Sequence, residues 1–437
     1  MSQNVNRDGS RQQVSASDQA GHAGAKSSAA SLRDGRAAYD DLLGRVAGYV
    51  DAAPLILCGM GACVDARVAM HDMDGLLTAR DCPQAAALAA LLRDRAARGV
   101  GGEVWIDWLD GPQWLARHVP VRYALGGTGP QAARVLTALG ARALMALEDR
   151  SEHMMAQLDA RLLLAEHGEL VAAARVAPRG PPRPDIFIFE YTDGKAVGDV
   201  VPRRSSRIIV RFNNLGLEHD AEFDRLSARL ANAAGAGLLS GFSAVPAEAL
   251  PAEIARVGDI GRAWRASGMG TVHLELAGFD TPELARLVLE GLRSAVSSVG
   301  MSHSEFLAIS PERDLATGLC ALGDGLGIAR VCVHADDWAA TATKGDAGVE
   351  HEALMMGCLL SSARAAAGEP VRPTGIDPEA RFRAPPFPTP MRRGEWILVS
   401  CPSPYLAAPV TTLGLGDTFT AGCLLVLAQR PDSVAAT

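Results

Sequence analysis

The sequence predicts an α/β protein: a large domain built on a mostly parallel sheet covered on both faces, with a smaller β-rich domain. Three observations lead there. After residue 230, short apolar segments alternate with helical stretches at the spacing of strand–helix–strand units. Earlier, 185–190 and 207–212 are both strand-like and are joined by a polar, Gly-containing connection, as in a β flap. The 437 residues also exceed what one compact core of ordinary size holds.

Residues 1–35 carry almost no large apolar side chains and cannot offset the entropy of ordering, so they read as a disordered tail. A helix follows over 37–50, with Tyr39, Leu42, Leu43, Val46 and Val50 on one face. Residues 54–61 form a buried first strand that enters a glycine turn, and 63–68 continue as a partly exposed strand. A helix is expected over 83–97. A strand at 121–125 leads through Gly126 and Gly127 to a helix over 131–139, with Pro130 at its start. A short strand spans 141–146. In the regular part, strands are expected at 238–242, 270–276, 328–333 and 396–399, and helices at 251–267, 281–296, 352–367 and 418–429. A Pro-rich loop occupies 370–390.

Composition narrows the function. The chain is 48% hydrophobic and 21% charged, as in a globular protein, and its formal net charge is −8 without any block of Lys or Arg. Nucleic acid and anionic membrane are therefore not expected as main partners, because phosphate-backbone binding needs clustered cations. The eight cysteines form no C-x-x-C pair and read as free buried thiols. No apolar run reaches membrane-spanning length, and the N-terminus has no secretory h-region, so a cytoplasmic protein is expected.

The chemistry centres on Gly414-Leu415-Gly416-Asp417, placed where the chain turns from a strand into an apolar helix. Glycines there let backbone N–H groups approach a ligand, and the unpaired N–H groups of a first helical turn favour an anion. Asp417 would repel that anion, so it makes chemical sense as a proton-accepting base. A glycine turn with an Asp cap is the structural alternative. His273 and Glu275 share one face of a strand near its carboxyl end, where open α/β sheets bind ligands. Glu275 can hold Mg²⁺ there directly or through water, and an edge strand with one wet face explains the pair equally well. Ser302 with Glu305 three residues on is explained by a capping box. Asp65 can accept hydrogen bonds from sugar hydroxyls, or serve its own turn. Gly126-Gly127 can admit a ligand to the backbone. Glu103 reads on its own as an exposed loop charge, and His334 and His71 as surface or satisfied core histidines.

Taken in order, these pieces resemble the ADP-dependent glucokinase/phosphofructokinase family of the ribokinase-like kinases. The resemblance runs from about Pro54 to the C-terminus and rests on Cys63-Val64-Asp65, Gly102-Glu103, Gly126-Gly127, Ile188-Phe189-Glu190, Leu239-Ser240-Gly241, Val272-His273-Leu274-Glu275, Gly300-Met301 with Glu305, and Gly414 to Asp417. It implies a three-layer α/β/α ribokinase-like domain over 36–437, with lid segments at about 64–122 and 183–213. It further implies Asp417 as the base, Gly414, Leu415 and Gly416 as an anion hole, and Glu275 and Glu305 as organisers of Mg²⁺. Asp65, Glu103, Gly126 and Gly127 would face the sugar. The partners expected are ADP, or alternatively ATP, and a small sugar, for a monomer or small homo-oligomer. Glu103 resembles the glucose-using members, so glucose is favoured over fructose 6-phosphate. Two departures stand out: Cys63 replaces the Asn of a sugar-contacting N-x-D, and Ser302-His303-Ser304-Glu305 replaces N-E-x-E. They leave an ATP-dependent kinase of the same fold, or a catalytically impaired binding homologue, as alternatives.

Overall fold

The computed structural model describes residues 17–212 and 216–429. Its strands in chain order are β1 (Ile56–Cys58), β2 (Cys63–Ala69), β3 (Gly102–Trp105), β4 (Arg122–Gly126), β5 (Ala143–Met145), β6 (Leu163–Glu166), β7 (Glu169–Ala172) and β8 (Ile186–Tyr191). They continue with β9 (Ser206–Arg211), β10 (Ala236–Leu239), β11 (Thr271–Glu275), β12 (Ser298–Ser302), β13 (Arg330–His334), β14 (Trp338–Thr343), β15 (Met391–Arg393) and β16 (Trp396–Pro402). The large sheet runs β15-β16-β14-β13-β12-β11-β10-β1-β5-β6-β7. From β6 through β13 all neighbours are parallel, and antiparallel strands close both ends.

Both faces of this sheet are buried, which is why its strands read as continuous apolar runs rather than alternating ones. One face, with Ile56, Cys58, Leu238 and Cys332, carries Tyr39, Leu42, Val46 and Val50 and the helices Thr128–Leu139, Ala347–Ala367 and Leu415–Leu427. The other, with Leu57, Leu274, Val299 and Val331, carries the helices Ala221–Leu230, Leu250–Ala266, Pro282–Leu292 and Leu315–Leu326. Three layers result.

The second sheet, β3-β9-β8-β2-β4, has its own core of Val68, Leu88, Leu92, Phe187, Phe189 and Val210. The chain enters it from β1 through residues 59–62, leaves through Gly127, and returns for β8 and β9. Its inner face, with Cys63, Ile186 and Ile188, packs on Leu413 of the large domain.

Several elements were invisible in the sequence. Strand β12 reads Ser-Val-Gly-Met-Ser, which has little β propensity, and it is a strand because both faces are covered. Glu103 lies in β3, not in a loop, paired in parallel with β9. The β6–β7 hairpin and β14 also escaped notice. The helix Ser17–Ala52 begins inside the segment read as a tail, because its alanines favour helix without any apolar face. Residues 1–16 lie outside the described residues. The thiols are free, and all but Cys82 are buried. Among the described residues no helix is long and apolar enough to cross a membrane.

The helices Ala347–Ala367 and Leu415–Leu427 touch backbone to backbone. A Cβ on Gly422 would stand 2.7 Å from Gly357 Cα and 2.8 Å from the Met356 carbonyl oxygen. We predict that Gly422→Ala costs about 1–3 kcal/mol in denaturant unfolding. Unchanged stability would mean that the contact is not constraining.

Candidate active site

Gly414 is the N-cap of the helix Leu415–Leu427, in the left-handed region at φ 69° and ψ 17°. A side chain there is disfavoured by backbone strain, and its space is taken by the Arg364 guanidinium. Asp417 is therefore the third residue of the helix rather than its cap. Its charge sits among the free N–H groups of the first turn. The helix Thr128–Leu139, N-capped by Gly127 at φ 92°, packs beside it. The Thr128 hydroxyl lies near the Asp417 carboxylate and lowers its proton affinity. Two helix N-termini thus converge on one carboxylate. Thr128 was missed in the sequence because a Thr after two glycines carries no motif of its own.

Asp417 keeps part of its surface open, yet protein surrounds it closely enough for desolvation to push its carboxyl up. Arg364, the Thr128 hydroxyl and Arg207 pull it down, and Glu275 pushes it further up. Asp65, on β2, is buried and raised to about 7 by desolvation and by Asp417, against the Cys63 thiol, Arg67 and Arg211. The Cys63 Sγ–H donates to Asp65 Oδ1 at 3.6 Å. Gly126 lies opposite Cys63 in the β2–β4 register, and a Cβ on it would meet the Asp65 carboxyl carbon at 2.5 Å and the Cys63 sulfur at 2.7 Å. A Cβ on Gly127 would strike the Gly61 carbonyl oxygen. Both glycines are thus required by close packing around Asp65.

Glu103 forms an ion pair with Arg211 of β9. Burial lowers Arg211, while the nearby Cys63 and Asp65 raise it, so the guanidinium paired with Glu103 also feels the Asp65 carboxyl. Arg211 was missed because arginines near both ends of a short strand look like a solvated face. Arg67 binds Glu190 through Nε and Nη2 at 3.1 and 2.8 Å and reaches Thr411 Oγ1 at 3.4 Å. Arg207 Nη1 donates to the Thr412 carbonyl oxygen at 3.0 Å. These two arginines tie the small domain to the loop that leads into Asp417.

Glu275 ends β11. His273 Nε2 meets its Oε2 at 2.9 Å, and His334 Nε2 its Oε1 at 3.3 Å. Burial alone would raise Glu275, but these imidazoles outweigh it and bring the carboxyl to about 2. Burial lowers His334 and Glu275 raises it, to about 9. Its ring packs against Gly416 and lies 5.0 Å from the Phe419 ring, so His334 belongs to the site rather than to the surface. The signal was one residue at the end of a strand, legible only once the register paired Ser302 with His334. Glu305 makes both halves of the expected capping box, with Ser302 N donating to its Oε2 at 2.7 Å. Among the described residues no group of three or more ligands forms a cation cage. Each carboxylate oxygen has two acceptor sites, however, so Glu275 and Glu305 retain capacity for the waters of a hydrated Mg²⁺. Contact through water fits the pair better than direct ligation.

The raised Asp65 carboxyl has a measurable consequence. Folded, it takes up a proton near pH 7, whereas unfolded it does so only near its ordinary value of about 3.9. Between these values the folded state binds more protons, so this group adds stability as pH falls through that window. We predict that Asp65→Asn flattens the gain in unfolding midpoint between roughly pH 7 and 5. Superimposable profiles of variant and parent would show that Asp65 ionises normally.

Comparison with known proteins bears on the family and the fold. A family model described as the ADP-specific phosphofructokinase/glucokinase conserved region matches residues 54–426. The ADP-specific phosphofructokinase of Pyrococcus abyssi is 27% identical over 185 residues, which is 35% of this chain and 41% of the relative. That of Thermococcus litoralis is 27% identical over 182 residues, 35% of this chain and 40% of the relative. The chain thus spans about two fifths of the length of the curated relatives it matches. Among solved structures, a hypothetical ADP-dependent phosphofructokinase from Pyrococcus horikoshii OT3 has a TM-score of 0.68 at 19% identity, covering 87% of this chain and 98% of that one. An ADP-dependent kinase in complex with fructose-6-phosphate and ADPβS has a TM-score of 0.72 at 16% identity, covering 90% and 98%. These likenesses extend a shared fold over nearly the whole molecule. The chain belongs to the ADP-specific phosphofructokinase/glucokinase family.

Proposed function

We propose that this protein is a sugar kinase that transfers a phosphoryl group from ADP to a hexose hydroxyl, with glucose as the favoured acceptor. The observation that carries the reading is Asp417 in the first turn of a glycine-capped helix, beside Thr128 at a second helix N-terminus and near enough to Asp65 for each carboxyl to feel the site's other charges. The first-turn N–H groups of Gly414, Leu415 and Gly416 suit the transferring phosphoryl group. The raised Asp417 carboxyl suits a base that takes the hydroxyl proton. The sugar oxygen then attacks the β-phosphorus, the bond to the bridging oxygen breaks, and AMP leaves.

Charge balance favours a neutral sugar. On the lid's inner side, Arg67 and Arg211 are already engaged with the carboxylates of Glu190 and Glu103, which leaves Arg207 and the partly ionised Asp65. Asp65 and Glu103 are suited to accept hydroxyl protons. Fructose 6-phosphate is the second reading, favoured by those same arginines if its phosphate displaces a carboxylate partner. ATP in place of ADP, and binding without turnover, are the further rivals. The Arg67 and Arg207 contacts to Thr411 and Thr412 would hold the lid over the acceptor and keep water out. Glu275 and Glu305 would hold the waters of Mg²⁺, which when bound neutralises phosphate charge.

A panel of glucose, fructose 6-phosphate and other sugars with ADP, ATP and pyrophosphate tests the proposal. Turnover with ADP and glucose is expected, fructose 6-phosphate turnover would install the second reading, and activity with ATP alone would change the donor. Asp417→Asn should lower kcat by roughly 10²–10⁴-fold with sugar binding nearly intact, and a near-normal kcat would remove Asp417 from the mechanism. Glu275→Gln should raise the Mg²⁺ concentration needed for half-maximal rate. An unchanged titration would leave that carboxylate with a structural role alone.

A further inference from the structure

Arg364 is a buried cation with no carboxylate of its own. It lies on the helix Ala347–Ala367 and is 3% exposed. The other buried arginines have acidic partners: Arg330 meets Glu350 at 2.8 Å, and Arg150 meets Glu166 at 3.2 Å and Asp220 at 3.4 Å. Among the described residues Arg364 has no acidic group within ion-pair distance, and its Nε has no hydrogen-bond partner. An unpaired buried charge is costly, and a fold that keeps one needs a compensating reason. Its Nη1 donates to the Gly414 carbonyl oxygen at 3.1 Å and to Thr418 Oγ1 at 3.0 Å. The same carbonyl accepts from Thr418 N at 3.0 Å and from Thr418 Oγ1 at 2.7 Å. The guanidinium also fills the place of a Gly414 side chain, with its carbon 2.5 Å from where a Cβ would stand.

We propose that Arg364 is a positioning residue for phosphoryl transfer, fixing the Gly414–Leu415 peptide so that its N–H faces the phosphate and supplying the counter-charge for Asp417. The proposal rests on the kinase reading above for its role in turnover. The peptide is planar, so a carbonyl held from three donors on the helix side leaves its N–H directed out of the helix N-terminus. The charged groups around Asp417 are few. Arg207 faces it from β9, Glu275 from β11 and Asp65 from β2. Arg67 and Arg134 stand beyond Arg364, with Arg67 committed to Glu190 and Arg134 4.0 Å from Glu369. Arg364 is thus the large-domain cation that has no ion pair of its own and is offset first by Asp417 and then, more weakly, by Asp65. Burial draws it down to about 10 while Asp417 draws it up, so it stays charged at neutral pH.

Two variants test this, with kinetics on the full chain and the Asp417 carboxylate titrated by ¹³C NMR, assigned through Asp417→Asn. Arg364→Met is expected to lower kcat by about 100-fold with the sugar KM little changed, the size of loss seen for one oxyanion donor. It should also move the Asp417 titration up by about one unit. Arg364→Lys keeps the charge but not the fork, so it should restore the titration and only part of kcat. An unmoved Asp417 titration in a folded Arg364→Met overturns the counter-charge, and a parental kcat in either variant overturns the positioning role. If Arg364→Met fails to fold, Arg364→Lys decides: a parental titration with reduced kcat supports the proposal, and equal loss of both overturns it. Should the unaltered protein turn over no sugar with any donor, the kinase reading fails, while the NMR titration still judges Arg364.

Discussion

The contact between Gly357 and Gly422 is the constraint on which the site depends. Two apolar helices normally keep 8–10 Å between their axes because side chains intervene. Here glycines bring backbones into contact, and Phe419 closes over Gly357. This close approach lets Arg364 of one helix reach past its neighbour's first turn and touch Gly414. Larger residues at the crossing would lift the helix Leu415–Leu427 away from the sheet and carry Asp417 with it.

The electrostatics of the site follow from that placement. Asp417 lies where helix N–H groups, two guanidinium groups and two further carboxylates meet in poorly solvated surroundings. No single neighbour sets its proton affinity. Desolvation and Glu275 push one way, while Arg364, Thr128 and Arg207 push the other. The smaller sheet contributes through Arg207 and through Asp65, so its position and the proton affinity of Asp417 are coupled.

Beneath the site runs a polar ladder inside the sheet. His273, Ser298, Arg330 and Thr343 are register partners across β11 to β14, and Glu350 caps the row from the helix above. His273 Nδ1 meets Ser298 Oγ at 2.8 Å, and Arg330 Nη1 donates to the same oxygen at 3.1 Å. Gly300 leaves room over which His273 and Glu275 lie. Such a row costs desolvation and is tolerated because most of its polar atoms bond one another, Arg330 Nη2 excepted. Its effect is geometric: Glu275 cannot rotate without breaking two imidazole bonds, so His334 stays against Gly416.

Much of this was legible without coordinates. Apolar runs separated by helical stretches determined a parallel, doubly covered sheet, because backbone pairing and burial on both faces demand that pattern. Glycines before a helix with an Asp just inside it determined an anion-binding helix end with a candidate base, since both follow from local backbone geometry. The strand period placed His273 and Glu275 on one face. What the sequence could not reveal is everything that depends on distant segments meeting. β12 has no strand propensity and exists because its neighbours enclose it. Glu103 changed from a loop charge to the partner of Arg211 through strand pairing about a hundred residues away, and His334, read as a surface or satisfied core histidine, gained Glu275 as its partner by register. Arg364 gave no sign, because an arginine on an alanine-rich helix looks solvated until glycines elsewhere bring the next helix against it. Local chemistry was written in the residues. Tertiary structure decided which charges are buried, who their partners are, and therefore which of them can act.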